Sequence, residues 1–282
     1  MRRLPGRSWL GLLLVGVLLA QAACGGLLLG GGLSGGRFSP GFNLFSPEQD
    51  IALGKASAEE AVREVRLVTD ARVTAYVRRV GARLASQAPG YEFPYQFAVV
   101  DAPEVNAYAF PGGYVFVNAG AVVAARTEGE LAAVLAHEIA HVALRHGTNQ
   151  ASKAYVAKAG LDLLDTLAGG RESELGQLAS AAGGAGAELI FQRFGRSSET
   201  EADLEGARLM AAAGYDPREM ARFFEKLGGP GGPRTAEALS DHPDPGSRVA
   251  AINEIISTLP PARPPARDPD EFRIIKRRLK GF

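Results

Sequence analysis

Five consecutive residues of this chain, His137-Glu138-Ile139-Ala140-His141, have the types and spacing for hydrolytic metal chemistry. They lie in an apolar, alanine-rich run that reads as helix. Two histidines four positions apart on a helix share a face, one turn apart, so both imidazoles can address one ion. The glutamate beside the first histidine can reach a water at that ion. The competing reading is a buried helix with incidental polar residues. Only four histidines occur in 282 residues, which makes a chance pairing at this spacing rare.

Two histidines leave a tetrahedral zinc one protein ligand short, with the remaining position open for chemistry. Glu199, in Ser198-Glu199-Thr200-Glu201-Ala202-Asp203, is the strongest candidate for the third ligand. Asp203 lies four residues on and shares its face, placed to accept a hydrogen bond from the second ring nitrogen of a ligating histidine. Taken alone, this acidic run would read as a solvated helix start favoured by the helix dipole. His146 falls about 180° from His137 on a regular helix. It is therefore read as a structural histidine near the helix end, outside the ligand set. His242, in a turn-like Asp241-His242-Pro243-Asp244-Pro245 loop, and the later Arg248 could complete stabilisation of an oxyanion.

Composition narrows the alternatives. Apolar residues make up 46% and charged residues 22%, as in a globular domain with a core, and net charge is +0, so nothing points to nucleic acid. Cys24 is the only cysteine, which excludes an intrachain disulfide and a thiolate zinc cluster. Residues 1–23 read as a leader, with Arg2, Arg3 and Arg7 before the apolar run Leu10–Ala20. The small residues at Ala22-Ala23-Cys24-Gly25 resemble a lipoprotein signal cut before a lipidated Cys24, although Gln21 stands where leucine is usual. Ordinary cleavage after Ala22, or a glycine-broken membrane anchor, remain alternatives. All three export the domain, to a lipid-anchored, soluble periplasmic or membrane-anchored state.

The elements that must hold the site follow. Residues 24–45 read as a glycine-rich tether, 46–259 as the folded domain, and 260–282 as a proline-rich stretch followed by a basic amphipathic tail that packs on the domain. A helix starts at Ser46-Pro47-Glu48-Gln49, with the signature of a capping box. A second follows Asp70, with Val73, Tyr76, Val77, Val80 and Leu84 on one face. Tyr95–Val100 and Tyr114–Asn118 read as strands. Thr127 and Glu130 form a capping box for the helix carrying the two histidines, which Gly147 ends. Later helices cover about 197–213, the residues after Asp216-Pro217, and about 247–257. A Gly/Ala-rich stretch at 179–187 reads as a loop or a close helix contact.

These segments together resemble the gluzincin metalloendopeptidase family that includes the CAAX prenyl protease, HtpX, the mitochondrial OMA-type proteases and the exported bacterial proteins BepA and LoiP. Four segments carry the resemblance: His137–His141 continuing to His146; Glu199-x-x-Ala202-Asp203; Asn106-Ala107-Tyr108-Ala109-Phe110-Pro111-Gly112-Gly113 with Val115-Phe116-Val117; and His242-Pro243 with Arg248. The resemblance spans about 47–257 and is nearest to short LoiP-like lipoproteins, since the chain reads without several hydrophobic spans or a tetratricopeptide array.

The resemblance implies an α+β, mainly helical zincin fold with a small sheet lining the cleft. It implies one zinc per chain on His137, His141 and Glu199, Glu138 as general base, and Asp203 behind the ligands. His242 would sit over the metal as a resting ligand or a transition-state donor, supported by Arg248. Val115, Phe116 and Val117 would bind substrate backbone as an added strand. The function so implied is hydrolysis of misfolded or envelope proteins. A lipid-anchored, zinc-stabilised chaperone or binding protein with little turnover is the alternative. Oligomeric state is not legible.

Overall fold

A computed structural model describes residues 40–167, 194–228, 245–259 and 269–279. The expectations for the leader, Cys24, the Gly/Ala-rich stretch and His242 fall outside these residues. Helix α1 (Pro47–Glu64) begins as its sequence predicts. Ser46 accepts the Gln49 backbone N–H, Gln49 returns the bond to the Ser46 N–H, and Pro47 occupies the first turn. Helix α2 (Ala71–Ala85) is capped by Asp70, whose carboxylate accepts the Arg72 and Val73 N–H groups.

Three strands follow: β1 (Gln96–Val100), β2 (Ala107–Phe110) and β3 (Tyr114–Asn118). Their order is β1-β3-β2, with β1 parallel and β2 antiparallel to β3. Alternation sorts the side chains onto two faces. Phe97, Val99, Val115 and Val117 join the main core, while Val100, Phe110 and Phe116 pack with Ala58 of α1. Strand β2 is not foreseen in the sequence reading.

Between β2 and β3, Pro111-Gly112-Gly113 turns with φ of 75° at Gly112 and 106° at Gly113, values that suit glycine. Helix α1 crosses this turn at Gly54, where an added Cβ would lie 1.7 Å from the Pro111 carbonyl oxygen. The obstructing atom is backbone, so Gly54→Ala must displace the helix or the turn. We expect it to lower unfolding free energy by about 1–3 kcal/mol, read from urea denaturation followed by circular dichroism. An unchanged midpoint would show that the crossing yields freely.

The remaining helices are α3 (Ala119–Ala124), α4 (Glu128–Ala143), α5 (His146–Leu167), α6 (Arg196–Ala212), α7 (Arg218–Gly228), α8 (Pro245–Thr258) and α9 (Pro269–Leu279). Helix α4 is the centre of the core: Leu131, Ala132, Leu135, Ala136, Ile139 and Ala140 are all fully buried. A helix apolar all round is expected to be enclosed by others. Thr127 caps it as predicted, but the Glu130 carboxylate accepts the Arg126 N–H and pairs with Lys226 instead of closing a box on Thr127.

The small residues of α4 admit α6 at close range. A Cβ at Gly206 would stand 3.3 Å from the Ala136 backbone. Helix α9 packs on α2: Phe272 stacks on Tyr76, and Glu271 and Asp70 pair with Arg79 and Arg278. Among the described residues, no helix is long and apolar enough to cross a membrane.

Candidate metal centre

Helices α4 and α6 bring the polar groups together. His137, Glu138 and His141 project from α4 and are almost wholly buried, as are Glu199 and Asp203 on α6. On α6 the positions 199, 202, 203, 206 and 210 form one face, and all five residues are buried. Ala202 and Gly206 keep that face close to α4, so Glu199 reaches the histidines. The imidazole Nε2 atoms of His137 and His141 lie 3.0 Å apart. The Glu199 carboxylate oxygens are 3.4 Å from each of them. One ligand atom from each of these three residues lies within 4.8 Å of the others.

Each histidine has its other ring nitrogen engaged. His137 Nδ1 is 2.9 Å from Asp203 Oδ1. His141 Nδ1 is 2.9 Å from Nδ1 of His146. Both rings therefore turn Nε2 toward Glu199, which is the orientation that ligation requires. Around this point lie three buried carboxyl groups, Glu138, Glu199 and Asp203, and one buried guanidinium, Arg248. Two imidazole nitrogens and a carboxylate converging in this way fit a dication of the zinc type.

The same field acts on the rings. Burial and the charge of Arg248 depress His137, but hydrogen bonds to Asp203 and Glu199 outweigh them and raise its pKa to about 9. His141 is held well below the usual histidine range by burial first, and by the neighbouring His137 and His146. Burial works to raise Asp203, yet hydrogen bonds from Arg248 and His137 keep it below the usual aspartate range.

Arg248 on α8 makes contacts that the sequence reading does not assign, and the support expected of it for His242 falls outside the described residues. Its Nε and Nη2 each donate at 2.7 Å to the two oxygens of Asp203, a two-pronged grip, and Nη1 lies 3.4 Å from Glu199. The guanidinium also sits over the Phe224 ring, 4.0 Å from its centroid. Its described polar partners thus include Asp203, behind the ligands, and Glu199. Nη2 is 3.3 Å from His137 Nδ1 as well, but with that nitrogen protonated toward Asp203 the two are fellow donors to one carboxylate.

The expectation for Val115, Phe116 and Val117 is overturned. Strand β3 is the centre of the sheet, paired on one side with β1 and on the other with β2. Both its backbone edges are used, so it cannot receive an added strand. The sheet edge nearest the histidines belongs to β2. Ala107 lines a cavity of about 40 Å³ with His137, Glu138, Val134 and Phe224, enough for a water. Ala109 and Phe110 line a second recess against His141 and Phe194.

His146 was also misplaced by helical spacing. Helix α4 ends at Ala143, and Arg145 has a φ of 56°, so the chain breaks before α5 begins at His146. That break swings His146 back onto His141. The left-handed residue is not a glycine, although Gly147, expected to end the helix, lies two positions on. Arg145 is held by contacts distant in sequence: Nε donates at 2.6 Å to Asp50, and Nη2 at 2.6 Å to the Phe45 carbonyl.

Comparison with known proteins agrees with this architecture. The chain is 30% identical over 96% of its length to the beta-barrel assembly-enhancing protease of Yersinia pestis, covering 56% of that protein. It is 29% identical over 83% of its length to the protein of that name in Escherichia coli (strain K12), covering 49%. It is 32% identical over 65% of its length to the mitochondrial metalloendopeptidase OMA1 of Bos taurus, covering 38%. The chain thus spans about half the length of the bacterial relatives it matches. The profile of peptidase family M48 matches residues 71–256, from the first residue of α2 into the last turn of α8, and the chain belongs to that family.

Proposed function

We propose that this chain is a zinc-dependent endopeptidase that hydrolyses peptide bonds in unfolded or misfolded proteins of the cell envelope. The observation that carries the reading is the convergence of His137, His141 and Glu199 on one point, beside the buried Glu138. Those three residues hold the ion, one per chain. When bound, zinc supplies Lewis acidity that acidifies a water and polarises a peptide carbonyl.

Glu138 takes the proton from the attacking water and passes it to the leaving amine. Asp203 fixes the His137 ring through Nδ1, and Arg248 fixes Asp203. Both act by positioning and neither touches substrate. The substrate backbone lies along β2 in place of the β3 segment, because β2 is the edge strand and its residues line both recesses beside the histidines. His242 serves as a resting ligand or as a donor to the oxyanion, the role its His-Pro segment suggests. The leader exports the domain and lipid on Cys24 anchors it to a membrane. The names of the bacterial relatives, beta-barrel assembly-enhancing proteases, support envelope proteins as the substrate class.

The test is metal analysis combined with hydrolysis of fluorescent unfolded casein. Purified protein is expected to carry about one zinc per chain and to lose hydrolysis on chelation. His137→Ala is expected to lose both metal and activity. Metal content unaltered by that substitution, or casein cleavage that survives complete chelation, would remove the basis for the reading.

A further inference from the structure

We infer that His146 is a positioning residue for the metal centre: its Nδ1 accepts the Nδ1–H of His141, and its own Nε2–H donates to Glu201, fixing His141 in the tautomer that turns a lone pair toward the ion. This rests on the metal-site reading above. The argument is one of proton counting. The two Nδ1 atoms stand 2.9 Å apart, so one proton lies between them. His141 Nε2 faces His137 Nε2 at 3.0 Å and Glu199 at 3.4 Å, the point where a ligand must offer a lone pair. The proton of neutral His141 is therefore on Nδ1.

His146 Nδ1 must then accept, which places the His146 proton on Nε2. The one described acceptor there is Glu201, at 3.4 Å, a long hydrogen bond. Proton positions along His141, His146 and Glu201 are thus all determined by the one requirement at the centre. His146 is 5% exposed, so water does not readily substitute for it, whereas the Glu201 side chain is 58% exposed. Phe194 stacks on the His141 ring at 4.3 Å and lies tilted at 5.9 Å over His146, restricting rotation of both.

The two ligating histidines are consequently held by different chemistry. His137 bonds to a buried carboxylate gripped by a guanidinium. His141 bonds to a neutral imidazole whose charged partner stands at the surface. Partners of this kind orient a ligand and raise its basicity, and their loss typically weakens metal binding about 10–100-fold.

The experiment is zinc titration of the full chain against a chromophoric chelator, with metal-free melting curves as a control for folding. His146→Leu removes the acceptor and is expected to weaken zinc by about 10–100-fold. His146→Asn places a carbonyl oxygen near the position of Nδ1 and is expected to restore most of the affinity. Leucine and wild-type proteins that bind equally well, or leucine and asparagine variants that lose equally, overturn the inference. If the leucine variant does not fold, Glu201→Ala decides: weakened zinc supports the relay and unchanged zinc overturns it. A wild-type protein that binds no zinc fails the metal-site reading itself, a result distinct from all of these.

Discussion

Glu138→Gln is expected to slow casein hydrolysis by about 10²–10⁴-fold, the range for loss of a positioned general base. The amide has the size of the carboxylate and keeps its reach, but it cannot take a proton from water. Glu138 is 4% exposed and lines the cavity beside His137, so a bulk base has little access to substitute for it. Zinc content should stay at the wild-type level, because the ligands assigned to the ion are His137, His141 and Glu199. The pair of measurements separates a base from a ligand. A variant that retains zinc and cleaves casein within tenfold of wild type would falsify the assignment.

The largest effect on stability is expected at Arg248. Arg248→Met keeps the length of the side chain and its contact with Phe224, but leaves buried Asp203 with His137 as its one remaining partner among the described residues. Removing one partner of a buried ion pair typically costs about 3–5 kcal/mol. The carboxylate concerned is 0% exposed, so water cannot replace the guanidinium. Urea denaturation of metal-free protein reads the cost. Arg248→Lys should recover only part of it, since an ammonium cannot bond both carboxylate oxygens in the same plane. The double variant Arg248→Met with Asp203→Asn should recover more, because the buried Asp203 charge is removed together with its partner. Equal stability of Arg248→Met and wild type would show that the two-pronged grip is energetically idle.

What could be read before the structure was local or periodic. Ser46, Pro47 and Gln49 announce α1, and Asp70 announces α2, because a cap bonds to backbone within three residues. His137, Glu138 and His141 need only helical spacing, and Glu199 with Asp203 needs only the same spacing on a second helix. The resemblance added β3 as the substrate strand, and there the sequence misled. Tyr114–Asn118 is the strongest strand signal in the chain because its residues are almost all buried, and that burial comes from its central place in the sheet. The short β2, Ala107–Phe110, carries little pattern of its own and owes its extended form to pairing with β3. The contacts of Arg248 with Asp203 and of His146 with His141 were not legible, because the first depends on how separate helices meet and the second on a break whose conformation rests on contacts distant in sequence.

That break bears on the order in which the protein becomes competent. Left-handed backbone at a residue with a Cβ costs about 1–2 kcal/mol, and the Arg145 side chain offsets it through bonds to Asp50 and Phe45, 95 and 100 positions earlier. Contacts that span so much chain form late, after the loop between them has closed. Until Phe45 and Asp50 dock, Arg145 has its local backbone bonds to Val142 and Asn149 but lacks the side-chain contacts that reinforce that conformation, and His146 is less firmly set against His141. The finished arrangement of the histidines therefore reports that the start of the domain has been folded into place, which ties the maturity of the centre to the integrity of a segment that contributes no group to it.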